Sequence, residues 1–291
     1  MMTMKRSQRN PNKKPAKPSN QQKPPLIEEE MTLYDHLGEL RRRIILVGSV
    51  FLAAMIIGLI IAPRVIEYLQ NIPAAEDFPM NVFSLTDPVM LYMNFAFVIG
   101  LILVFPLLLH QLWAFVAPGL LENERKATLS YIPIATFLFF GGLAFAYFIL
   151  FPNVLRFLSS LTERLGLTEQ YGVNDYFSFL FQLTLPFGLL FQLPVVVMFL
   201  TRLGMITPAW LRKVRKYAYF VLLVVAGFIT PPEIVSHLMV TVPLLLLYEI
   251  SIIISRSTYK KVLKAEQQRM EEWALEEQKR RQEEIDKQNN G

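Results

Sequence analysis

Not one cysteine occurs among the 291 residues, which excludes disulfides, iron–sulfur clusters, thiolate zinc sites and cysteine nucleophiles. Charge is scarce as well. Asp, Glu, Lys and Arg make up 18% of the chain and apolar residues 53%, with a mean hydropathy of +0.36, whereas soluble domains run near ~25% charged. No G-x-x-x-x-G-K-[ST], H-E-x-x-H or G-x-S-x-G motif is present, so nothing points to a P-loop nucleotide hydrolase, a zincin or a serine hydrolase. His36, His110 and His237 stand on separate segments without metal-ligand spacing. The expectation is a chain with no catalytic residue, no metal and no cofactor.

What fills the sequence instead is long uncharged runs. Residues 44–63, 88–121, 127–155 and 176–201 hold no Asp, Glu, Lys or Arg; 217–232 is a shorter gap, and 234–255 is broken only by Glu249. A helix needs ~20 apolar residues to cross a hydrocarbon core of ~30 Å. The pattern predicts an all-α, polytopic membrane protein with six transmembrane helices at about 44–62, 89–110, 131–151, 176–200, 214–230 and 236–254. Basic residues collect on the cytoplasmic side of such proteins. With the N-terminus inside, residues 1–43, 125–126, 202–216 and 256–287 carry 26 of the 29 Lys and Arg residues, leaving Arg64, Arg156 and Arg164 outside. Both termini are therefore expected in the cytoplasm. The net charge of +5 reports this topology and gives no reason to expect nucleic acid.

Residues 1–30 are polar and rich in Lys, Pro, Asn and Gln, a composition that cannot offset its ordering entropy; they are expected to form a disordered basic tail. The membrane domain spans 31–256. From 257 to 291 a charged tail carries Glu276/Arg280, Glu277/Arg281 and Glu283/Lys287 at i,i+4, spacing that supports a solvated helix. No secretory signal peptide is expected, because the first apolar run comes late, is ~20 residues long and lacks a nearby Ala-x-Ala site. The external segments 63–88 and 152–175 are expected to contain short interfacial helices, with Tyr68, Phe78, Tyr171 and Tyr176 in aromatic belts. Pro106, Pro133, Pro186, Pro194 and Pro243 fall inside spans and predict bends. The fifth span is short: Tyr217 to Thr230 covers about 21 Å of helix. It can lengthen only toward Thr207 and Pro208, an N-cap and first helical residue.

Two carboxylate clusters sit on the predicted cytosolic face. Before the first span, Thr32-Leu33-Tyr34-Asp35 fits a capping-box start. Leu33, Leu37, Leu40 and Ile44 then share one helical face, with Asp35 and Glu39 on the other. Glu39 either pairs with Arg43 at i,i+4 or is held at the surface for a cationic partner. In the first cytosolic loop Pro118-Gly119 signals a turn, and Glu122 and Glu124 follow in the first turn of the next helix, where the helix dipole favours acids.

These segments carry a resemblance. His36-Leu37-Gly38-Glu39-Leu40-Arg41, the loop from Trp113 to Arg125, Ala144-Phe145-Ala146-Tyr147-Phe148 with Phe151-Pro152, and Thr230-Pro231-Pro232 resemble the TatC component of the twin-arginine protein translocase, in order and spacing, over about residues 32–256. The resemblance implies a signal-peptide receptor in the bacterial cytoplasmic membrane. Such a receptor serves folded cargo exported with the proton-motive force, alongside small single-span TatA/TatB-like subunits and in a homo-oligomeric larger complex. By motif, Glu39 and Arg41 match one part of the family's twin-arginine site and Phe115 and Glu124 the other, with Glu122 a further candidate beside Glu124. The chemistry agrees: two guanidiniums want two carboxylates, and the bidentate Arg–carboxylate fork is one that Lys cannot form.

The chain also departs from the family. Gln192 stands where many relatives have Glu, and cannot act as a charged proton acceptor. Glu233 replaces a common Asp, and His237 an expected Gln. Gln192 can still hydrogen-bond a partner helix within the membrane. Glu249, in the sixth span, is an intramembrane ionisable group near its cytosolic end that could pair with Arg256 or snorkel. An ion-coupled transporter of a small molecule is the alternative. It predicts inverted repeats and a charged site at mid-membrane, and the sequence shows neither.

Overall fold

The computed structural model describes residues 33–71, 80–117, 129–168, 170–230 and 233–289. Its elements are α1 (Leu33–Gln70), β1 (Met80–Asn81), α2 (Asp87–Val116), α3 (Tyr131–Phe145) running through a π-helical turn (Ala146–Leu150) into α4 (Phe151–Arg164), β2 (Tyr171–Gly172), α5 (Val173–Leu190), α6 (Leu193–Arg202), α7 (Pro208–Ile229) and α8 (Ile234–Asn289). Five runs, Leu37–Gln70, Asp87–Val116, Tyr131–Arg164, Val173–Arg202 and Ile234–Glu283, are long and apolar enough to cross a membrane. The chain is a polytopic helical membrane protein. The remaining helix, α7, has 22 residues, with Arg212, Lys213, Arg215 and Lys216 crowding its first half. Thr207 caps it, its side chain accepting from the Trp210 N–H at 3.2 Å, with Pro208 following.

Three local expectations change. Residues 63–70 and 152–164 are helical, but as unbroken continuations of α1 and of the α3–α4 run rather than as separate interfacial helices. The segments between α1 and α2 and between α4 and α5 instead meet through a parallel two-residue pairing, Met80 with Tyr171 and Asn81 with Gly172. Tyr176 is no belt residue: it is buried, edge-on to Phe151 and Phe177, while Tyr68 is exposed and Phe78 lies outside the described residues. Pro133 falls in the first turn of α3, where an N–H has no helical acceptor to lose, so it imposes no kink. Pro63, Pro106, Pro186 and Pro243 lie inside continuous helices. Pro194 marks an actual break, the turn at Phe191–Gln192 between α5 and α6. The π turn precedes Pro152, whose missing N–H and ring require such a local readjustment.

Aromatic rings meet in the interior, and aliphatic and aromatic side chains alike cover the outside. Phe95 is edge-on to both Phe177 and Phe181, and Phe105 stacks on Phe139 at 3.6 Å between ring centres. Large side chains on the outer surface are bare: Ile60 is 73% exposed, Phe137 77% and Phe228 81%. Contiguous apolar exposure on that scale is foreign to a water-facing surface and suits lipid.

Where lipid is the solvent, apolar burial drives no helix association, and close backbone approach takes over. Two glycine crossings do this. A Cβ on Gly58 of α1 would stand 2.7 Å from the Ala96 carbonyl oxygen of α2, and one on Gly142 of α3 would stand 2.8 Å from the Phe187 carbonyl oxygen of α5. Backbone atoms cannot swing aside, so Gly58→Ala forces α1 and α2 apart. The expected cost is about 1–2 kcal/mol, read as a lowered unfolding midpoint in detergent. Gly48→Ala, with open space around its Cβ position, leaves that midpoint unchanged.

Candidate functional site

The site begins where α1 starts and α2 ends. Arg43, one turn after Glu39 on α1, places both Nε (3.1 Å) and Nη2 on Glu39 Oε1. It donates Nη1 to Gln111 Oε1 at 2.8 Å and Nη2 to the Ala114 carbonyl at 3.2 Å, both on α2. Arg43 thus ties the two helices together, beyond the i,i+4 pairing with Glu39 that its spacing predicts. Gln111 was missed altogether. Its sole signal is an amide in the last turns of an otherwise apolar helix.

The ion pair is lopsided. Both Arg43 nitrogens use the same Glu39 oxygen, and the other, Oε2, is buried with no hydrogen-bond partner among the described residues. Trp113 Nε1, on the last turn of α2, is in the same condition. A buried acceptor left unsatisfied costs about 1–3 kcal/mol, more for a charged group. Phe115 is half-buried beside this cluster, while Arg41 is exposed. The structure therefore brings together Glu39, Arg43, Gln111 and Phe115. Glu122, Glu124, the Pro118-Gly119 turn and Thr32 lie outside the described residues, as does the 1–30 tail.

The intramembrane polar residues do not converge. Gln192, at the α5–α6 turn, donates Nε2 to the Ala135 carbonyl of α3 at 3.0 Å. That bond fixes the broken span to its neighbour and is an ordinary interhelical hydrogen bond. Glu233 stands at the start of α8, where its Oε2 accepts from the N–H and Oγ of Ser236 at 3.1 and 3.2 Å. It satisfies a donor that every helix start leaves open, and its charge suits that end of the dipole. His237 is one turn on, its N–H donating to the Glu233 carbonyl and its ring lying against Gly227 of α7.

Glu249 corrects the expected pairing. Its partner is not Arg256 but Arg215 of α7, with Nη2 on Oε2 at 2.8 Å, while Tyr219 donates its hydroxyl to Oε1 at 2.5 Å. A depth count finds this pair. Arg215 lies fifteen residues before Thr230 and Glu249 fifteen after Ile234, so two antiparallel helices joined by a tight turn put them level. Tyr248 extends the contact, donating to the Leu211 carbonyl at 2.8 Å. Among the described residues no group of acidic, His or Cys side chains could hold a metal ion.

Residues 35–243 match the family model for Sec-independent protein translocase protein (TatC). The chain is 65% identical over 250 residues to the Sec-independent protein translocase protein TatC of Halalkalibacterium halodurans, covering 86% of this chain and 99% of that one. It is 54% identical to TatCy of Bacillus subtilis, covering 81% and 93%. A crystal structure described as the twin arginine translocase receptor TatC superposes with a TM-score of 0.69 at 33% identity, covering 77% of this chain and 99% of that chain.

Proposed function

We propose that this chain, which belongs to the TatC family of Sec-independent protein translocase proteins, is the receptor subunit that recognises paired arginines on signal peptides of exported proteins. The family is a protein-translocase component and not a family of catalysts, so the function to be explained is binding and assembly. Glu39 of α1 and Glu124, between α2 and α3 in the sequence, supply the two carboxylates, with Glu122 beside them. Phe115 offers an apolar wall to the arginine stems, and Arg41 adds a contact to the peptide backbone or a flanking acid.

The observation that supports this reading is the empty oxygen of Glu39. Arg43 neutralises the carboxylate and orients it, yet Oε2 has no hydrogen-bond partner among the described residues. An incoming guanidinium supplies the donors that this oxygen lacks, and its planar fork suits a carboxylate already held in place. The positive-inside distribution puts this end of α1, both termini and the basic start of α7 in the cytoplasm, in a six-span arrangement in the bacterial plasma membrane. Cargo then arrives on the cytoplasmic side and is passed on with small single-span TatA/TatB-like subunits, in an oligomeric complex driven by the proton-motive force. Gln192, Glu233, His237 and Glu249 belong to the surface that such subunits meet or to the helix pairs that shape it.

The test is a comparison of two peptides on the purified full-length protein in lipid nanodiscs, identical except for Arg-Arg or Lys-Lys. The Arg-Arg peptide is expected to bind at least about tenfold more tightly, the worth of one extra charge-assisted hydrogen bond. Equal affinities overturn the reading.

A further inference from the structure

Four cations crowd the first half of α7, and Arg215 takes Glu249. Arg212, Lys213 and Lys216 are exposed, and among the described residues no carboxylate pairs with any of them. Arg212 donates Nε to the Pro208 carbonyl at 3.3 Å, and Lys216 holds Nζ 5.1 Å from the centre of the Tyr217 ring. Their spacing, i, i+1 and i+4, puts the three charges on one flank of the helix, where like charges one turn apart destabilise it. Depth sharpens the conflict. Across the antiparallel α7–α8 seam Arg215 meets Glu249, the Leu211 carbonyl meets Tyr248, and Gly227 meets the His237 ring. That register sets Arg212 level with Ile252 and Lys216 level with Tyr248. There α8 is still apolar on its outside, with Leu246, Ile250 and Ile253 exposed, and its next charge after Glu249 is Arg256. Lys216 therefore lies eight residues deeper than Arg256, about 12 Å of helix. A single long side chain can snorkel toward the headgroups. Three on one flank converge as they do so, and repel unless an anion meets them.

We infer that Arg212, Lys213 and Lys216 form a binding site for the phosphodiester of an anionic phospholipid, drawn deeper than its neighbours in that leaflet. Guanidinium and ammonium groups give the phosphate oxygens charge-assisted donors, and basic clusters at helix ends are suited to such headgroups. Trp210 and Tyr217, both exposed, stand one turn to either side of Lys213, and rings of this kind settle at the headgroup level. Phe220 and Val224, exposed further along the same helix, offer the acyl chains an apolar wall. This lipid site needs only the membrane fold and is independent of the receptor reading.

Full-length protein in an uncharged detergent is titrated with phosphatidylglycerol, phosphatidylcholine or glycerol phosphate while its unfolding midpoint is followed. A ligand held by the folded state raises that midpoint saturably. Phosphatidylglycerol is expected to half-saturate at a concentration about tenfold below phosphatidylcholine. Equal responses to the two lipids overturn the site. Glycerol phosphate carries the charge without the chains and is expected to leave the midpoint unchanged over the same range; a response equal to that of phosphatidylglycerol overturns the lipid assignment in favour of free phosphate. Arg212→Gln with Lys213→Gln and Lys216→Gln should abolish the tenfold preference. Arg256→Gln with Lys260→Gln and Lys261→Gln, on the α8 segment nearer the surface, should retain it. Equal loss in both triple variants reveals diffuse surface charge and overturns the site. Arg212→Glu serves where the first triple variant folds poorly. It sets Glu four residues before Lys216, a favourable helical pair, so the lipid-free midpoint should hold while the preference for phosphatidylglycerol falls away. A preference unchanged in Arg212→Glu overturns the assignment.

Discussion

Glu39→Ala combined with Glu124→Ala lowers affinity for an Arg-Arg signal peptide by about a hundredfold and abolishes the preference over Lys-Lys. Each carboxylate contributes charge-assisted bonds worth about 1.5–3 kcal/mol, less where exposed, and every ~1.4 kcal/mol is tenfold in affinity. A second effect adds to the loss at Glu39. Arg43 leans on that carboxylate through Nε and Nη2 and, among the described residues, keeps only Gln111 and the Ala114 carbonyl once it is removed. An uncompensated guanidinium then repels the arginines it formerly helped to admit. Glu39→Gln separates the two contributions. It retains an oxygen for Arg43 but no charge, so it should bind between wild type and Glu39→Ala, with a weaker dependence on salt. Fluorescence anisotropy with labelled peptides at two ionic strengths reads all of these. Binding undiminished in the double variant removes both residues from the site.

How much of this could be read from the residues depends on which force sets each feature. The spans were legible because charge-free runs have one stable home, and residues 88–121 or 176–201 admit no other. The cap at Thr207 was legible because its chemistry is local. Features set by two elements meeting were not. The i,i+4 spacing that suggested Glu39 with Arg43 is silent on Gln111, sixty-eight residues away from Arg43. The aromatic ring of Tyr176 looks alike in sequence whether it faces a headgroup or Phe151. Proline marks a possible break without saying whether one occurs: Pro186 continues α5, and Pro194, eight residues later, follows a turn. Here Gln192 binds across to Ala135 and stabilises the interrupted span. A polar residue in lipid that suggested a partner helix is thus already occupied within the chain.

Removing one member of the Arg215–Glu249 pair is expected to destabilise the protein more than removing both. Glu249 is held by two groups of α7, Arg215 at 2.8 Å and Tyr219 at 2.5 Å, on the one helix too short and too basic to hold its depth by apolar length alone. Glu249→Ala leaves a guanidinium whose Nε is already buried and without a hydrogen-bond partner among the described residues. Breaking a fully buried pair from one side costs about 3–5 kcal/mol; with both side chains over a third exposed, the expectation falls to about 2 kcal/mol. Arg215→Met costs less, because Tyr219 still donates to the carboxylate. Arg215→Met with Glu249→Ala strands no charge and leaves an apolar seam between α7 and α8, so its loss should fall below that of Glu249→Ala alone. The unfolding midpoints of the four proteins in detergent close a double-mutant cycle, with an expected coupling of about 1–2 kcal/mol. Losses that add within about 0.5 kcal/mol would show that the two charges neither strain nor support the helix pair, and that α7 keeps its place by packing of Leu211, Leu222 and Ala226.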